Sequence, residues 1–378
     1  MFELNDEQQA MVEMVRDFAT ENIAPHADRW DQEHHFPVDV LAQAGELGMG
    51  AIYADEQFGG SGLSRSDAVL IFEELARACP TIAAYISIHN MVAWMIDSFG
   101  DDAQRERWIP GMATMSELGS YCLTEPGAGS DAAALTTRAV RDGGEYVLNG
   151  TKQFISGAGA AAYYLVMART ADTGSRGISA IVVPAGTGGL SFGALEKKMG
   201  WNAQPTRQVI FSDVRVPVGN RLGEEGDGFG IAMKGLNGGR LNIGACSLGG
   251  GQTALEKSAA HLKERHAFGG ALINQQSLLF ELADMETKLV TARTLLWRAA
   301  AALDDGADDA LKLCAMAKRV ATDAGYETAN AAIQLHGGYG YLSEYGLEKI
   351  ARDLRVHQIL EGSNEIMRLI IGRMIAEN

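Results

Sequence analysis

Apolar residues recur every three or four positions near the start of the chain, which is the spacing of an amphipathic helix. The first such pattern consists of Met11, Val15 and Phe18. Asn5 precedes it as a helix-capping residue, with Gln8 three positions later. Residues 66–78 and 81–99 have the same helical character and are separated by a proline. We therefore expect residues 1–118 to be helical.

The last third of the chain contains two longer helical patterns. The first alternates spacings of four and three, at Leu278, Leu282, Met285, Leu289, Ala292, Leu296, Ala299 and Leu303. The second has mostly small residues, at Cys314, Ala317, Ala321, Ala324, Thr328, Ala331 and Leu335. We expect this helix to end at Gly337-Gly338. Large residues facing small ones indicate close packing in an antiparallel bundle.

Between these helical parts the hydrophobic period changes to two. Short β-rich runs occupy residues 146–148, 163–167, 178–183 and 208–216. Turn residues such as Asn149-Gly150 separate them. Strands without intervening helices favour a small antiparallel barrel or sandwich. The pattern thus predicts an α+β chain with three domains: an all-α domain at 1–118, an antiparallel β-barrel domain at 119–226 and a four-helix-bundle domain at 227–378.

Charge and hydropathy exclude several kinds of partner. The 378 residues carry a formal net charge of −16, which disfavours binding to nucleic acid or anionic lipid. No run approaches the ~18 apolar residues that a membrane helix requires. The first seven residues contain Glu3, Asp6 and Glu7 and no basic residue, which argues against a secretory signal or an Arg-rich transit peptide. We expect a cytoplasmic, bacterial-type location, or the mitochondrial matrix if a transit peptide has been removed.

The cysteine and histidine spacing predicts no disulfide or metal site. The four cysteines, Cys79, Cys122, Cys246 and Cys314, form no CxxC pair. We expect free thiols in a reducing compartment. The eight histidines show no metal-ligand spacing such as HExxH.

Three glycine-rich segments interrupt the packing patterns. The polar loop Tyr121–Asp131 could hold a phosphate or a ring carbonyl on its backbone N–H groups, or could be a surface turn. It is not GxGxxG and no βαβ unit surrounds it, which argues against a Rossmann site. In Lys152–Gly159, Phe154 could wall a planar ring, or could be a core residue before a turn. Leu335–Tyr341 could let backbone approach a ligand, or could be a helix C-cap with aromatic packing.

A fourth segment, Ile359–Ile366, places Glu361 between an aliphatic pair and a glycine. Desolvation raises the pKa of a carboxyl group there, whereas a following helix dipole lowers it. Ser363 is positioned to cap that helix. Glu361 is therefore a candidate base, and the alternative is an exposed Glu in a bundle loop.

Taken together, these segments resemble the acyl-CoA dehydrogenase family over nearly the whole chain. Five ordered motifs carry the resemblance: YCLTEPGAGSD at 121–131, FIS at 154–156, RHAFG at 265–269, QLHGG at 334–338 and ILEGSNEIMR at 359–368. Within the family, GGRLNIGACSLG at 238–249, KMGWN at 198–202, QPT at 204–206 and residues 355–365 are most similar to the branch that oxidises isobutyryl-CoA.

The resemblance implies an FAD enzyme that desaturates a short, branched acyl-CoA between Cα and Cβ. Glu361 matches the base that removes the α-proton while the β-hydrogen leaves to the flavin. It also implies an electron-transfer flavoprotein as acceptor, a role in valine catabolism, and a homotetramer built as a dimer of dimers.

The resemblance assigns further residues by position. FAD contacts are implied for Tyr121, Cys122, Leu123, Thr124, Gly127, Gly129, Ser130, Phe154, Ile155, Ser156, Arg265, Phe268, Gln276, Gln334, Leu335, Gly337, Gly338, Ser363, Asn364 and Glu365. Arg265, Phe268, Gln276 and the 334–338 segment would reach FAD bound to a neighbouring subunit. Acyl-CoA contacts are implied for Ser130, Asn237, Gly238, Gly239, Arg240 and Arg373.

The sequence departs from the family pattern at three positions. Phe154 stands where the family often has Trp, which affects flavin shielding. Ala267 and Ala271 replace a usual Gln and Pro, which affects the adenine end of FAD. The branch acting on isovaleryl and long-chain substrates carries its base at the position of Gly239, which supports Glu361 as the base here.

Four other functions remain open at this point. A straight short-chain (butyryl-CoA) dehydrogenase is the nearest alternative. An acyl-CoA oxidase is disfavoured because such chains are usually longer. A DNA-associated flavoprotein of this fold is disfavoured by the net charge of −16, and a purely structural helical protein would not take up FAD.

Overall fold

The N-terminal part of the molecule is helical. A computed structural model describes residues 4–377; residues 1–3 of the acidic start used above lie outside them. The helices are α1 (Asp6–Phe18), α2 (Ala27–Glu33), α3 (Val38–Glu46), α4 (Arg65–Ala78), α5 (Pro80–Phe99) and α6 (Asp102–Ala113). The predicted cap is confirmed, since the side chains of Asn5 and Gln8 each accept the other's backbone N–H. Pro80 begins α5, where its missing N–H breaks no helical hydrogen bond.

One eight-stranded sheet follows. Its strands are β1 (Gly119–Cys122), β2 (Arg138–Asp142), β3 (Glu145–Ser156), β4 (Tyr163–Arg169), β5 (Ile178–Pro184), β6 (Leu190–Phe192), β7 (Thr206–Pro217) and β8 (Arg221–Leu222). Their order is β6-β7-β3-β2-β4-β5-β8, with β1 beside β4. Most pairs are antiparallel, as expected, but β1 and β2 both run parallel to β4. The middle β part is confirmed, and these two parallel pairings were not predicted.

The C-terminal part is a helical bundle. A small hairpin, β9 (His266–Ala267) and β10 (Gly270–Ala271), separates its first two helices. The helices are α7 (Gly228–Glu264), α8 (Gln276–Asp304), α9 (Ala310–Leu335), α10 (Leu347–Arg355) and α11 (Asn364–Ala376). The apolar residues predicted along α8 are buried from Leu282 to Ala299. The predicted positions of α9 are buried except Ala331, which is half-buried, and α9 ends before Gly337 as predicted.

Helix α7 is the centre of the bundle because its glycines let neighbours approach closely. A methyl group added at Gly249 would lie 2.1 Å from the carbonyl oxygen of Glu73 on α4, and one added at Gly251 would lie 3.0 Å from Gly325 on α9. At the start of α7, one added at Gly228 would meet the backbone of β5 at 2.4 Å. We call these positions, together with Gly239, the contact glycines of α7. They lie on different sides of the helix and allow close approach of the sheet and the other helices to α7.

Residues 4–377 meet the requirements neither for a membrane-spanning helix nor for a three-ligand metal site. No helix among them combines the length and the hydropathy needed to cross a bilayer. The same stretch contains no group of three His, Cys, Asp or Glu side chains arranged to hold a metal ion. All four cysteines are free and buried.

Candidate active site

Glu361 lies in the short connection before α11, with its carboxylate directed at α7. A methyl group added at Gly239 would lie 2.4 Å from Glu361 Oε2, so only glycine leaves room for this carboxylate. The backbone of both Glu361 (φ 53°) and Gly362 (φ 89°) is left-handed. This is an unfavourable conformation for a residue with a Cβ, and such strain is concentrated at functional sites.

The environment of Glu361 suits a base. Its Oε2 atom is buried and has no hydrogen-bond partner among the described residues. Burial raises its pKa from 4.5 to about 7, and the nearby cations Lys318 and then Arg240 oppose that rise. Arg240 donates from Nε to the Glu361 carbonyl at 3.3 Å and from Nη1 to Asn237 Oδ1 at 2.8 Å. A carboxyl group with a pKa near neutrality can accept a proton and release it again.

The predicted helix cap beside Glu361 is only partly correct. Ser363 occupies the N-cap position of α11, but its side chain does not cap the backbone of that helix. The hydroxyl is hydrogen-bonded to the exposed Glu365 carboxylate, whose own backbone N–H and then Ser363 lower the pKa of Glu365. The Ser363 hydroxyl is therefore bonded to the Glu365 carboxylate instead of accepting a hydrogen bond from a backbone N–H of α11.

Polar side chains gather around the base. Asn242 donates from Nδ2 to Tyr53 Oη at 3.1 Å, and the guanidinium of Arg65 lies 3.5 Å from the centre of the Tyr53 ring. Burial and, to a lesser degree, the charge of Glu361 raise the pKa of Tyr121. Asn242 Oδ1 and Tyr121 Oη are buried without a hydrogen-bond partner among the described residues. Buried polar atoms are normally paired, so these atoms are available to a ligand.

A cavity of about 400 Å³ opens beside this cluster. It is lined by Tyr53, Leu63, Ser64, Arg65, Trp94, Lys234, Asn237, Leu303 and Asp304. Asn237 lies within one helical turn of Gly239, so the cavity is next to Glu361. Its two cations, Arg65 and Lys234, favour an anionic or strongly polar ligand on an otherwise acidic protein.

The predicted cofactor loop after β1 is anchored by a buried ion pair. Glu125 accepts from Lys152 Nζ at 2.8 Å and from the backbone N–H groups of Thr136 at 2.6 Å and Thr137 at 2.9 Å. Although burial opposes it, Lys152 and these hydrogen bonds lower the pKa of Glu125 to about 2. In contrast, no atom lies within 4 Å of a methyl group added at Gly127 or Gly129. The base of the loop is thus fixed while its glycines face open space.

Phe154 lies next to this loop. The backbone N–H of its neighbour Gln153 donates to the Thr124 carbonyl at 2.8 Å. Phe154 has a left-handed backbone (φ 58°) and its side chain is 63% exposed, so the alternative that it is a core residue is wrong. An exposed aromatic ring on strained backbone beside an open glycine loop fits a planar ligand. The side chains of Cys122, Leu123 and Ile155 are buried, so only their backbone could reach it.

The second set of predicted cofactor residues forms a separate surface. The Arg265 guanidinium lies 5.6 Å from the centre of the Tyr339 ring. This contact joins the start of the β9–β10 hairpin to the turn after α9. Four other predicted residues lie close to these two segments in the chain and are exposed: Gln276, Gln334, Gly337 and Gly338. Leu335 is buried. Phe268 at the hairpin tip is 91% exposed. Of the predicted acyl-CoA residues, Gly238 and Arg240 are buried on α7, whereas Ser130 and Arg373 are exposed.

Several site residues escaped the sequence analysis. Lys318, Tyr53, Asn242 and the Glu125–Lys152 pair have partners far away in the chain, which no local pattern reveals. Lys318 did offer one signal: it lies four positions after Cys314, on the buried side of a helix of small residues. A lysine there has to be buried, and buried lysines need partners.

Known proteins resemble the chain along its whole length. Domain models described as acyl-CoA dehydrogenase N-terminal, middle and C-terminal domains match residues 5–116, 120–214 and 226–376. The mitochondrial isobutyryl-CoA dehydrogenase of Bos taurus is 52% identical over 99% of this chain and 90% of its own. The structure of butyryl-CoA dehydrogenase from Megasphaera elsdenii matches with a TM-score of 0.96, 36% identity and full coverage of both chains. A chain from structural work on the electron transferring flavoprotein of Acidaminococcus fermentans matches with a TM-score of 0.98, 36% identity and full coverage of both chains.

Proposed function

Since this chain belongs to the acyl-CoA dehydrogenase family and is an oxidoreductase acting on CH–CH bonds, we propose that it converts isobutyryl-CoA to methacrylyl-CoA. This step belongs to the catabolism of valine. The high identity to isobutyryl-CoA dehydrogenases supports the branched substrate. The observation that carries the chemistry is the buried Oε2 atom of Glu361, which faces Gly239 and has no hydrogen-bond partner among the described residues.

Members of this family are flavoproteins and usually bind FAD. We propose FAD here as well, because the open glycine loop at 124–130 and the exposed Phe154 ring fit a planar group. When bound, FAD supplies the acceptor for the β-hydrogen, which it takes as a hydride. Thr124 and Phe154 would hold its ring, with Ser156 beside them. Ser363, Asn364 and Glu365 would hold its ribityl and phosphate part, and the surface of Arg265, Phe268, Gln276 and 334–338 would reach FAD in a neighbouring subunit.

Glu361 removes the α-proton in this proposal. The α-C–H of a thioester is a weak acid, so the base needs a desolvated carboxylate and the developing enolate oxygen needs hydrogen-bond donors. Oε2 of Glu361 has no competing partner and can take the proton. The backbone N–H of Glu361 is proposed to donate to the thioester oxygen. A pKa near 7 lets the residue be a carboxylate before the step and a carboxylic acid after it.

Arg240 and its neighbours are proposed to orient the thioester. Arg240 is fixed by the Glu361 carbonyl and the Asn237 side chain, so the groups of the substrate that it contacts are held relative to the base. The missing side chains of Gly238 and Gly239 leave room for Arg65 and Glu361, since a methyl group added at Gly238 would lie 2.3 Å from Arg65 Nη1 and one added at Gly239 would lie 2.4 Å from Glu361 Oε2. Ser130 and Arg373 are proposed to contact more distant parts of CoA.

An electron-transfer flavoprotein is the proposed electron acceptor, and a homotetramer of two FAD-sharing dimers is the proposed assembly. The large exposed apolar side chains Phe268 and Tyr341, at 91% and 85% exposure, support a partner subunit on that face. The acidic surface gives no support to the DNA-associated alternative.

Anaerobic flavin reduction by a panel of acyl-CoAs tests the proposal. We expect isobutyryl-CoA to have a higher kcat/KM than butyryl-CoA and octanoyl-CoA. One branch methyl contributes about 1–3 kcal/mol of discrimination, so butyryl-CoA should remain measurably active. A preference for butyryl-CoA would favour the straight-chain alternative, and a preference for octanoyl-CoA would overturn both. No reduction by any acyl-CoA would refute the activity itself.

A further inference from the structure

Lys318 on α9 is a buried cation whose position the proposed reaction does not explain. Its side chain is fully buried among the small residues of α9, and burial of an ammonium group is costly unless it is well paired. Its Nζ donates to the Gly362 carbonyl at 2.9 Å and to Asn364 Oδ1 at 3.0 Å. Both acceptors lie immediately after Glu361 in the chain.

Two further residues of α9 act on the same segment. Asn364 donates from Nδ2 to Thr322 Oγ1 at 3.0 Å and to Asp323 Oδ1 at 2.8 Å. Gln358, on the other side of Glu361, donates to the same Asp323 oxygen at 2.7 Å. Lys318, Thr322 and Asp323, which we call the α9 clamp, therefore hold the chain both before and after the base.

The clamp is attached where the backbone most needs support. Glu361 and Gly362 are consecutive left-handed residues, and a left-handed conformation persists in a residue with a Cβ only when its surroundings impose it. The Gly362 carbonyl, fixed by Lys318, belongs to that strained turn. Lys318 thus holds the Gly362–Ser363 peptide, while Arg240 on α7 holds the carbonyl of the preceding Glu361–Gly362 peptide, so the left-handed turn is fixed from both sides.

Lys318 also supplies charge. The ionisable groups that interact directly with Glu361 are Lys318 on α9, Arg240 and Cys246 on α7, Tyr121 on β1, and Tyr53 in the loop before α4. Glu365 on α11 acts indirectly, because its charge acts on Lys318. Asp323 and His357 in turn face Lys318. Of the two cations, Lys318 opposes the burial-induced rise in the pKa of Glu361 more strongly than Arg240 does.

We propose that Lys318 is a positioning residue for the proton abstraction, which fixes the Glu361–Gly362 turn and keeps a positive charge beside the Glu361 carboxylate. This inference rests on the proposed role of Glu361. It predicts two separable effects. Loss of the charge makes the base harder to deprotonate, and loss of the hydrogen bonds misplaces it.

The experiment compares Lys318→Met and Lys318→Arg in the FAD-loaded enzyme. Lys198→Met is the matched control. Burial lowers the pKa of both lysines to about 8, so the effect of the Lys318 charge is evaluated on the acidic limb below pH 8. Lys198 is half-buried where Lys318 is fully buried, and it likewise donates to backbone carbonyls. The charges that act on it are Asp353, Asp31 and Glu196 rather than Glu361. The rate of anaerobic flavin reduction by isobutyryl-CoA is measured from pH 6 to pH 9.5.

For Lys318→Met we expect the acidic limb of the pH profile to move up by about 1 pH unit or more, as for loss of a close opposite charge. The plateau rate should fall about 10- to 100-fold, as for a misplaced catalytic group, with little change in KM. Lys318→Arg should keep the wild-type limb with a lower plateau. Lys198→Met should keep both. A wild-type limb and plateau in Lys318→Met would overturn the proposal, and so would the same shift of the limb in Lys198→Met.

Thr322→Val covers the case in which Lys318→Met does not fold. It removes the hydroxyl that orients Asn364 and leaves every charge in place, so it should lower the plateau without moving the limb. Wild-type plateaus in both Thr322→Val and Lys318→Arg would then refute the positioning role. If the wild type is not reduced by any acyl-CoA, or Glu361→Gln is fully active, the proposed function fails. If only the Lys318 predictions fail, the base stands.

Discussion

The Glu361 carboxylate should make the folded protein less stable at neutral pH than it would be without this charge. The pKa of Glu361 is about 7 in the folded protein against an ordinary 4.5, mainly because of burial. Below pH 4.5 the carboxyl group is protonated in both the folded and the unfolded chain, so the stability associated with the neutral form is fully present. As the pH rises through 7, the folded protein must ionise this buried group and that stability is lost.

Glu361→Gln removes the ionisation without changing the size of the side chain. A pKa difference of about 2.5 at 1.36 kcal/mol per unit gives the variant about 3 kcal/mol of extra stability above pH 7. The unfolding entropy of a 378-residue chain is about 0.8 kcal/mol per kelvin at ~2.1 cal/mol/K per residue, so Tm should rise by about 4 °C. The gain should decrease as the pH falls and disappear near pH 4.5. The same variant should lose at least ~10²–10⁴-fold in flavin reduction by substrate.

Thermal unfolding of both proteins with saturating FAD, from pH 5 to pH 8.5, measures this effect. Glu106→Gln on α6 is the control, because Glu106 is exposed and has no proposed contact with FAD or substrate. It should give no gain at pH 8. The reasoning is refuted if Glu361→Gln is no more stable than wild type at pH 8, or if its gain does not depend on pH. Flavin reduction at the wild-type rate would show that Glu361 is not the base.

Three further predictions follow from the same structure. In the double variant Glu361→Gly with Gly239→Glu, the Cβ of the new side chain lies near the position that the old carboxylate occupied, so anaerobic flavin reduction should recover part of the activity lost in Glu361→Gly. No recovery would mean that carboxylates from the two positions do not reach the same substrate atom. Dilution of the enzyme until it dissociates, followed by light scattering and flavin fluorescence, should release FAD, and a monomer that retains all its flavin would contradict a shared site. Gly249→Ala should destabilise the protein by about 1–3 kcal/mol, because the added methyl group would lie 2.1 Å from the Glu73 carbonyl, whereas Gly230→Ala on the same helix, with nothing within 4 Å, should be neutral or stabilising by up to ~1 kcal/mol in urea unfolding.

The helices and strands could be predicted from the sequence because their signals are local. The buried positions from Leu282 to Ala299 on α8 follow directly from a repeat within one segment, and the Asn5–Gln8 cap depends on residues three positions apart. The parallel pairing of β1 with β4 joins residues more than forty positions apart. No periodicity carries that information, since it depends on how the whole sheet closes around its core.

The same division applies to the site. Glu361 was a candidate because its apolar neighbours and the following glycine favour a desolvated carboxylate, and the family resemblance distinguished it from an exposed Glu in a loop. Its partners could not be predicted: Lys318 lies 43 positions earlier, and whether a lysine side chain turns to solvent or inward depends on which helix packs against it. Ser363 shows a different limit, because its position was predicted correctly and its hydrogen bond was not, since Glu365 competes for the hydroxyl.

The contact glycines of α7 also restrict how this protein can change by recombination with its relatives. Each glycine is matched to a different neighbour: Gly228 to β5, Gly239 to Glu361, Gly249 to α4 and Gly251 to α9. A segment exchanged from a relative that has a larger residue at one of these positions would require a compensating change on a separate part of the chain. Helix α7 and the backbones that contact it should therefore be exchanged together. A crossover in the loops on either side of α7 should preserve folding only if the exchanged segment also contains those contacting backbones.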